Sequence, residues 1–218
     1  MAVTTQNTKD KIMDVSTELF NAFLATNVST IQIAHALGMS VGNLYYHFRN
    51  KEHIIREIYA ERISVEIDAL VMSKEERLSE IGMIRYLTGL ANVICKYNFF
   101  YSEIYALTCD DPELKTIYRQ RVKAFDRELK KPADTWIAVG LLKEGAADVI
   151  RDISEVCWMH VIGWLPFRMV ATGEVNKEKL ASDAVVSMLK VLRPYFTDSA
   201  NERFERLLDF VEESERAE

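Results

Sequence analysis

The stretch Ser29–Lys51, STIQIAHALGMSVGNLYYHFRNK, is rich in side chains that read polar edges and poor in side chains that break bonds. It offers the amide of Asn43, the phenols of Tyr45 and Tyr46, the imidazole of His47 and the ammonium of Lys51. An amide both donates and accepts, phenols do either, and an ammonium only donates. Elsewhere the sequence has no G-x-S-x-G, H-E-x-x-H, P-loop or G-x-G-x-x-G, so no catalytic residue is expected and the chain is read as a non-enzyme. The carboxylate pair Asp110-Asp111 precedes Pro112, where capping a helix start explains it. His47 and His53 stand six residues apart across a helix junction, which is not a metal-ligand spacing, and neither metal nor cofactor is expected.

Two short helices must hold these groups. Ser29 followed three residues later by Gln32 has capping-box spacing, which predicts a helix from Thr30 to Leu37. Gly38 suits the position after that helix, where positive φ is needed, and Ser40 caps a third helix, Val41 to Phe48. Helices separated by Gly38-Met39-Ser40 form a helix-turn-helix over about residues 29–48. Ala34 is small where the two helices cross, and Leu44 points inward with Ile33 and Leu37. The outer face of the third helix is then Val41, Gly42, Asn43, Tyr45, Tyr46 and His47.

That face suits a major groove. Asn43 can pair bidentately with an adenine edge, Tyr46 can reach bases and a thymine methyl, and Val41 and Gly42 bring the helix start close to the bases. Thr30, Tyr45, His47 and Lys51 are the expected phosphate contacts, Lys51 because it opens the following helix. The expected partner is double-stranded DNA.

Composition narrows the rest. The chain has 218 residues with only 8 Gly and 4 Pro, which disfavours an all-β fold, and its 49% hydrophobic content supports a sizeable core. The net charge is -6, yet residues 1–60 balance five basic residues (Lys9, Lys11, Arg49, Lys51, Arg56) against five acidic ones. All the negative charge therefore lies beyond residue 60, and DNA contact is expected from the N-terminal part alone. Cys95, Cys109 and Cys157 are odd in number and far apart, which points to a reducing, cytoplasmic setting. The polar start has no signal-peptide core, and the uncharged run 19–48 carries too many polar residues to span a membrane, so no membrane partner is expected.

Helical periodicity runs throughout, and the expected fold is all-α. Thr8 can cap a first helix with the stripe Ile12, Val15, Leu19, Phe23, which ends near residues 25–27. A long connecting helix, 51–72, repeats Ile55, Tyr59, Ile63, Ile67 and Val71 every fourth residue. Further helices start at the polar residues 73–76 and at Pro112, the latter kinked or broken at Pro132, and others cover about 152–171, 177–195 and 200–214. The domain reading is a helix-turn-helix head at 1–50 and a helical bundle at 51–218.

In the bundle, Phe99, Phe100, Tyr105, Trp136, Trp158 and His160 suit the lining of an apolar pocket as well as an ordinary core. Stripes including Val161 and Trp164 on one helix, and Val185, Met188 and Leu192 on the next, suit either burial within one chain or contact with a second copy.

The motif resembles the TetR/AcrR family of transcriptional regulators. The family pattern T-x-x-x-I-A-x-x-x-G-V-S-x-G-x-L-Y-x-H-F-x-x-K-E follows a first helix ending in L-F. Here it reads Leu19-Phe20, Ser29, Ile33-Ala34, Gly38-Met39-Ser40, Gly42, Leu44-Tyr45, His47-Phe48 and Lys51-Glu52. Ile31 and Val41 stand where many relatives carry a basic residue, which implies few phosphate charges. The resemblance implies a homodimer that represses transcription from a near-palindromic operator and is released by a small, largely apolar effector. An activator or architectural DNA-binding protein without effector is the alternative, and a protein-binding module with a vestigial helix-turn-helix is a further rival.

Overall fold

A computed structural model describes residues 7–70, 79–173 and 176–206. The chain divides into two compact units, the first comprising Met1–Ala69 with Tyr97–Tyr118 and the second Leu70–Lys96 with Arg119–Glu218. The expected boundary at residue 50 thus falls inside the first unit. The helix beyond it buries Ile54, Ile55 and Ile58 with the head, and the head has no complete core without it.

The first unit begins with α1 (Thr8–Phe23), capped by Asn7 one residue before the expected Thr8. Next come α2 (Thr30–Ala36) and α3 (Val41–His47). Ser29 and Gln32 form the reciprocal capping box, and Ser40 accepts from the Asn43 N–H. Gly38, at φ 64, makes the turn between α2 and α3. Ile12, Phe20, Ile33, Leu44 and Phe48 are fully buried and form the core of the head.

The expected long helix is α4 (Lys51–Ile58), a π turn over Tyr59–Ile63, and α5 (Ser64–Asp68). A strict four-residue repeat drifts roughly 40° per step around an α-helix. The wider π turn rotates less per residue and absorbs much of that drift, so Ile55, Tyr59, Ile63 and Ile67 all stay buried. Completing the unit are α7 (Asn98–Ser102), α8 (Ile104–Asp110) and the start of α9 (Pro112–Ala138). Phe99 packs on Phe20 at 5.1 Å between ring centroids, and Phe100 stacks on Tyr59 at 4.8 Å.

The second unit holds α6 (Glu80–Lys96), the rest of α9, α10 (Ala146–Thr172), α11 (Lys177–Leu192) and α12 (198–206). The expected helix start at 73–76 and the end of the terminal helix lie outside the described residues. α9 continues through Pro132, so the break expected there does not occur. The missing donor is tolerated because Ala133 and Trp136, just beyond it, are buried and hold the last turns in place. Pro166 likewise lies inside α10. α6 and α10 both pack on α11. Phe196 stacks on Phe204 at 4.6 Å.

One backbone feature has a measurable cost. Leu24 ends α1 at φ 69 and ψ 140, a region that suits glycine, while its side chain is 46% exposed. Such strain costs about 1–3 kcal/mol. Leu24→Gly is expected to gain about 1 kcal/mol of stability, after the roughly 0.5–1 kcal/mol entropic cost of a glycine, and so to raise the urea midpoint. An unchanged or lower midpoint would show that the Leu24 side chain offsets its own strain.

Candidate nucleic-acid interface and apolar cavity

Leu44 is fully buried and anchors α3, so the opposite face is presented outward. Gly42, Asn43, Tyr45 and Tyr46 are exposed, Tyr46 at 84%, while Val41 and His47 are half-buried. The Tyr46 and His47 rings meet edge-on at 5.2 Å. Of the four residues expected to meet bases, Gly42, Asn43 and Tyr46 are thus exposed on a short helix, and Val41 is half-buried at its start.

Three of the four expected phosphate residues come together. Thr30, Tyr45 and Lys51 line a cleft of about 340 Å³ with Ser29 and Asn50, the residues that cap α2 and α4. Thr30 Oγ1 and Tyr45 Oη are hydrogen-bonded at 3.0 Å, which fixes the phenol beside the start of α2. His47 is not part of this cleft. The Lys51 ammonium departs from the simplest expectation. It donates to the carbonyls of Ala25 at 2.6 Å and Thr26 at 3.3 Å, so its charge braces the turn after α1.

Glu103 grips the same turn from the other side. Its carboxylate accepts from the Ala25 N–H at 2.5 Å, the Thr26 N–H at 3.1 Å and the Thr26 hydroxyl at 2.5 Å. Asp111, 4% exposed, accepts from Arg56 Nη1 and from the N–H groups of Glu113 and Leu114 at the start of α9. Glu103 has no local motif in the sequence, and its partners lie 77 or 78 residues away.

The second unit encloses an apolar cavity of about 50 Å³ whose lining includes Phe125, Trp136, Cys157, Trp158, Met188 and Phe196. Trp136 and Trp158 were expected there, but the other expected pocket residues are elsewhere. Phe99 and Phe100 fill the core of the first unit, because they stack on Phe20 and Tyr59. Tyr105 is 81% exposed on α8. His160 lies against Trp164 at 5.1 Å, outside the cavity lining, and burial holds its imidazole below the usual histidine range despite a backbone hydrogen bond at Ala184. Burial also pushes the Cys157 thiol up to about 12.

The stripe expected to meet a second copy is corrected in the same way. Val185, Met188 and Leu192 are buried, and Met188 and Leu192 line the cavity. Trp164 is half-buried, and the Val161 side chain lies outside the described residues. Among the described residues, the large apolar side chains left exposed on α10 are Val156, Met159, Phe167 and Val170, with Gly163 exposed among them.

These elements match known proteins at two levels. The description "Bacterial regulatory proteins, tetR family" matches residues 12–58, and "Bacterial transcriptional repressor" of the TetR type matches residues 62–204. The chain belongs to the TetR family. It is a DNA-binding transcriptional regulator of that family, all-α with an N-terminal helix-turn-helix. The head is similar to the HTH-type transcriptional regulator QacR of Staphylococcus aureus, 48% identical over 54 residues, a match covering 24% of this chain and 28% of that protein. A TetR-family transcriptional regulator from Marinobacter aquaeolei VT8 is 29% identical, with a TM-score of 0.84 over 93% of this chain and 97% of that one. The SmeT–triclosan complex shares the fold, with a TM-score of 0.58, 16% identity and coverage of 89% and 94%. Among the described residues, no TetR-family helix of this chain is long and apolar enough to cross a membrane.

Proposed function

We propose that this TetR-family chain acts in the cytoplasm as a homodimeric repressor, each protomer seating α3 in a major groove of a near-palindromic operator, and that a small, largely apolar effector in the second-unit cavity releases it. The observation that carries the DNA-reading part is the exposed Asn43 and Tyr46 surface opposite the buried Leu44. Val41 and Gly42 accompany them to the bases, while Thr30 and Tyr45 serve phosphate from the cleft and His47 from the end of α3. Lys51 contributes field and bracing more than a free ammonium. The apolar lining supports the effector, and a structure of the same fold solved as a complex with triclosan supports a small molecule as its occupant. Release requires the effector to bind the non-DNA conformer more tightly, by a coupling of about 1–3 kcal/mol.

The exposed stripe Val156, Met159, Phe167 and Val170 on α10 supports pairing with a second copy, since a solitary exposed apolar row is unfavourable in water. The cheapest test is selection of duplexes from a random pool, followed by fluorescence anisotropy. Asn43→Ala is expected to cost about 1–3 kcal/mol on the selected sequence and little on a scrambled one, which relaxes base choice. Equal loss on both sequences would remove Asn43 from base reading, and failure to select any sequence would remove the DNA-reading function.

A further inference from the structure

Resting on the reading of α3 as the base-reading helix and of the adjoining cleft as the phosphate seat, we propose that His53 is a positioning residue for that seat, and that operator affinity falls in mild acid because this imidazole holds the α3–α4 corner only while neutral. Phe48 ends α3 and Asn50 caps α4, so the corner is Arg49-Asn50. Asn50 lines the phosphate cleft with Tyr45 and Lys51. Two hydrogen bonds shape this corner. Asn50 Oδ1 accepts from the His53 N–H at 2.8 Å, and His53 Nδ1 accepts from the Arg49 N–H at 3.2 Å. The arrangement is a capping box shifted by one residue, with imidazole in the place that Glu or Gln usually takes. At α2 the same job falls to Gln32, an amide that accepts at any pH.

Only a neutral imidazole has an acceptor nitrogen. Since Nδ1 accepts, the ring proton sits on Nε2, 3.6 Å from Glu57 Oε1. Protonation puts a second donor on Nδ1, facing the Arg49 N–H. The ring cannot easily turn aside, because it stands edge-on against the fully buried Phe48 at 5.4 Å. The corner gives way instead, and Asn50 leaves its place in the cleft. The added charge does not offset this. Glu57 lies beside the new imidazolium and neutralises it, so the phosphates gain little. The other charged groups around the corner are cations: Arg49 itself and Lys9 of α1, which lies 5.5 Å over the Phe48 ring. Imidazole changes charge between about pH 5 and 8. The neutral form is the one that binds, so affinity is full at the alkaline end of that range and is lost as pH falls.

The test is fluorescence anisotropy of the full-length protein on its selected duplex at about pH 8 and about pH 6, at fixed salt, beside His53→Asn. The asparagine Oδ1 stands where Nδ1 stood and accepts without titrating. Relative to His53→Asn, the unaltered protein is expected to lose about fivefold in affinity at the lower pH, the net of one hydrogen bond. His35, His47 and His160 are common to both proteins, so their contribution cancels in that ratio. Glu57→Gln leaves the imidazolium charge uncancelled and is expected to shrink the loss.

A ratio that stays flat with pH would overturn the proposal and leave the DNA reading intact, as would relatively tighter binding by the unaltered protein in acid. If no duplex is selected, the DNA reading falls and takes the proposal with it. Should His53→Asn fail to fold, the ring ¹⁵N shifts of the unaltered protein on its duplex decide. A proton on Nε2 at about pH 8, with the Arg49 amide signal moving as the ring titrates, is the expected result. A proton on Nδ1, or an Arg49 amide indifferent to the titration, would remove His53 from this role.

Discussion

Asp111→Ala is expected to cost about 3 kcal/mol of stability, at the low end of the 3–5 kcal/mol typical of a broken buried ion pair because Arg56 keeps some solvent. Two losses combine in this substitution. The Arg56 guanidinium, 21% exposed, is left with Glu113 at 3.4 Å as its remaining carboxylate, and that partner is 70% exposed. The N–H groups of Glu113 and Leu114 lose the acceptor at 3.1 and 3.0 Å that caps α9, a loss of about 1 kcal/mol by itself. Asp111→Asn keeps a capping oxygen and is expected to recover that part only. In the double variant with Arg56→Met the stranded cation is gone, so the two effects are expected to add to less than their sum. Urea denaturation followed by circular dichroism reads all three. An Asp111→Ala midpoint equal to that of the unaltered protein would show that the pair is ornamental.

Glu103→Ala ranks second, with an expected loss of about 2–3 kcal/mol. Three donors converge on this carboxylate, and bonds to an ionised acceptor are worth about 1.5–3 kcal/mol each when buried, less where water competes, as at Thr26. Ala25 is fully buried, so its N–H cannot turn to solvent when the acceptor goes. The turn that loses its hold leads directly into Ser29 and the capping box of α2. Operator affinity is therefore expected to fall together with stability, and a scrambled duplex is expected to weaken in proportion. Glu103→Gln, which keeps the shape but presents an amide to donors, is expected to fall between. Loss of stability with operator binding untouched would show that the grip serves folding alone.

The helix-turn-helix was readable because its rules are local. Ser29 with Gln32, Gly38 and Ser40 each act within one turn, and Leu44 buries wherever α3 packs on α2. The aromatic residues between 97 and 105 were recognisable as a cluster, but not as the lid of the first unit. Phe99 and Phe100 look the same in sequence whether they face a ligand or pack on Phe20 and Tyr59. Met188 and Leu192 failed similarly: an apolar stripe states that a face is covered, not by what. Lys51 was assigned to phosphate from its place at the start of α4, whereas the nearby carbonyls of Ala25 and Thr26, supplied by a turn 25 or 26 residues earlier, claim its ammonium. A break at Pro132 follows from propensity alone, which carries no knowledge of the burial of Ala133 and Trp136 beyond it.

The first unit is sewn from two separate stretches of chain, with α6 passing through the other unit between them. This has a practical bearing on protein engineering. A fragment cut at residue 50, or even at 69, would bare Phe20 and Tyr59 and take away the acceptors for Arg56 and the Ala25 turn. Transplanting this reading head onto a foreign sensor would therefore require grafting residues 97–118 along with it, and a swap that moved the N-terminal segment alone would yield a chimera prone to aggregate.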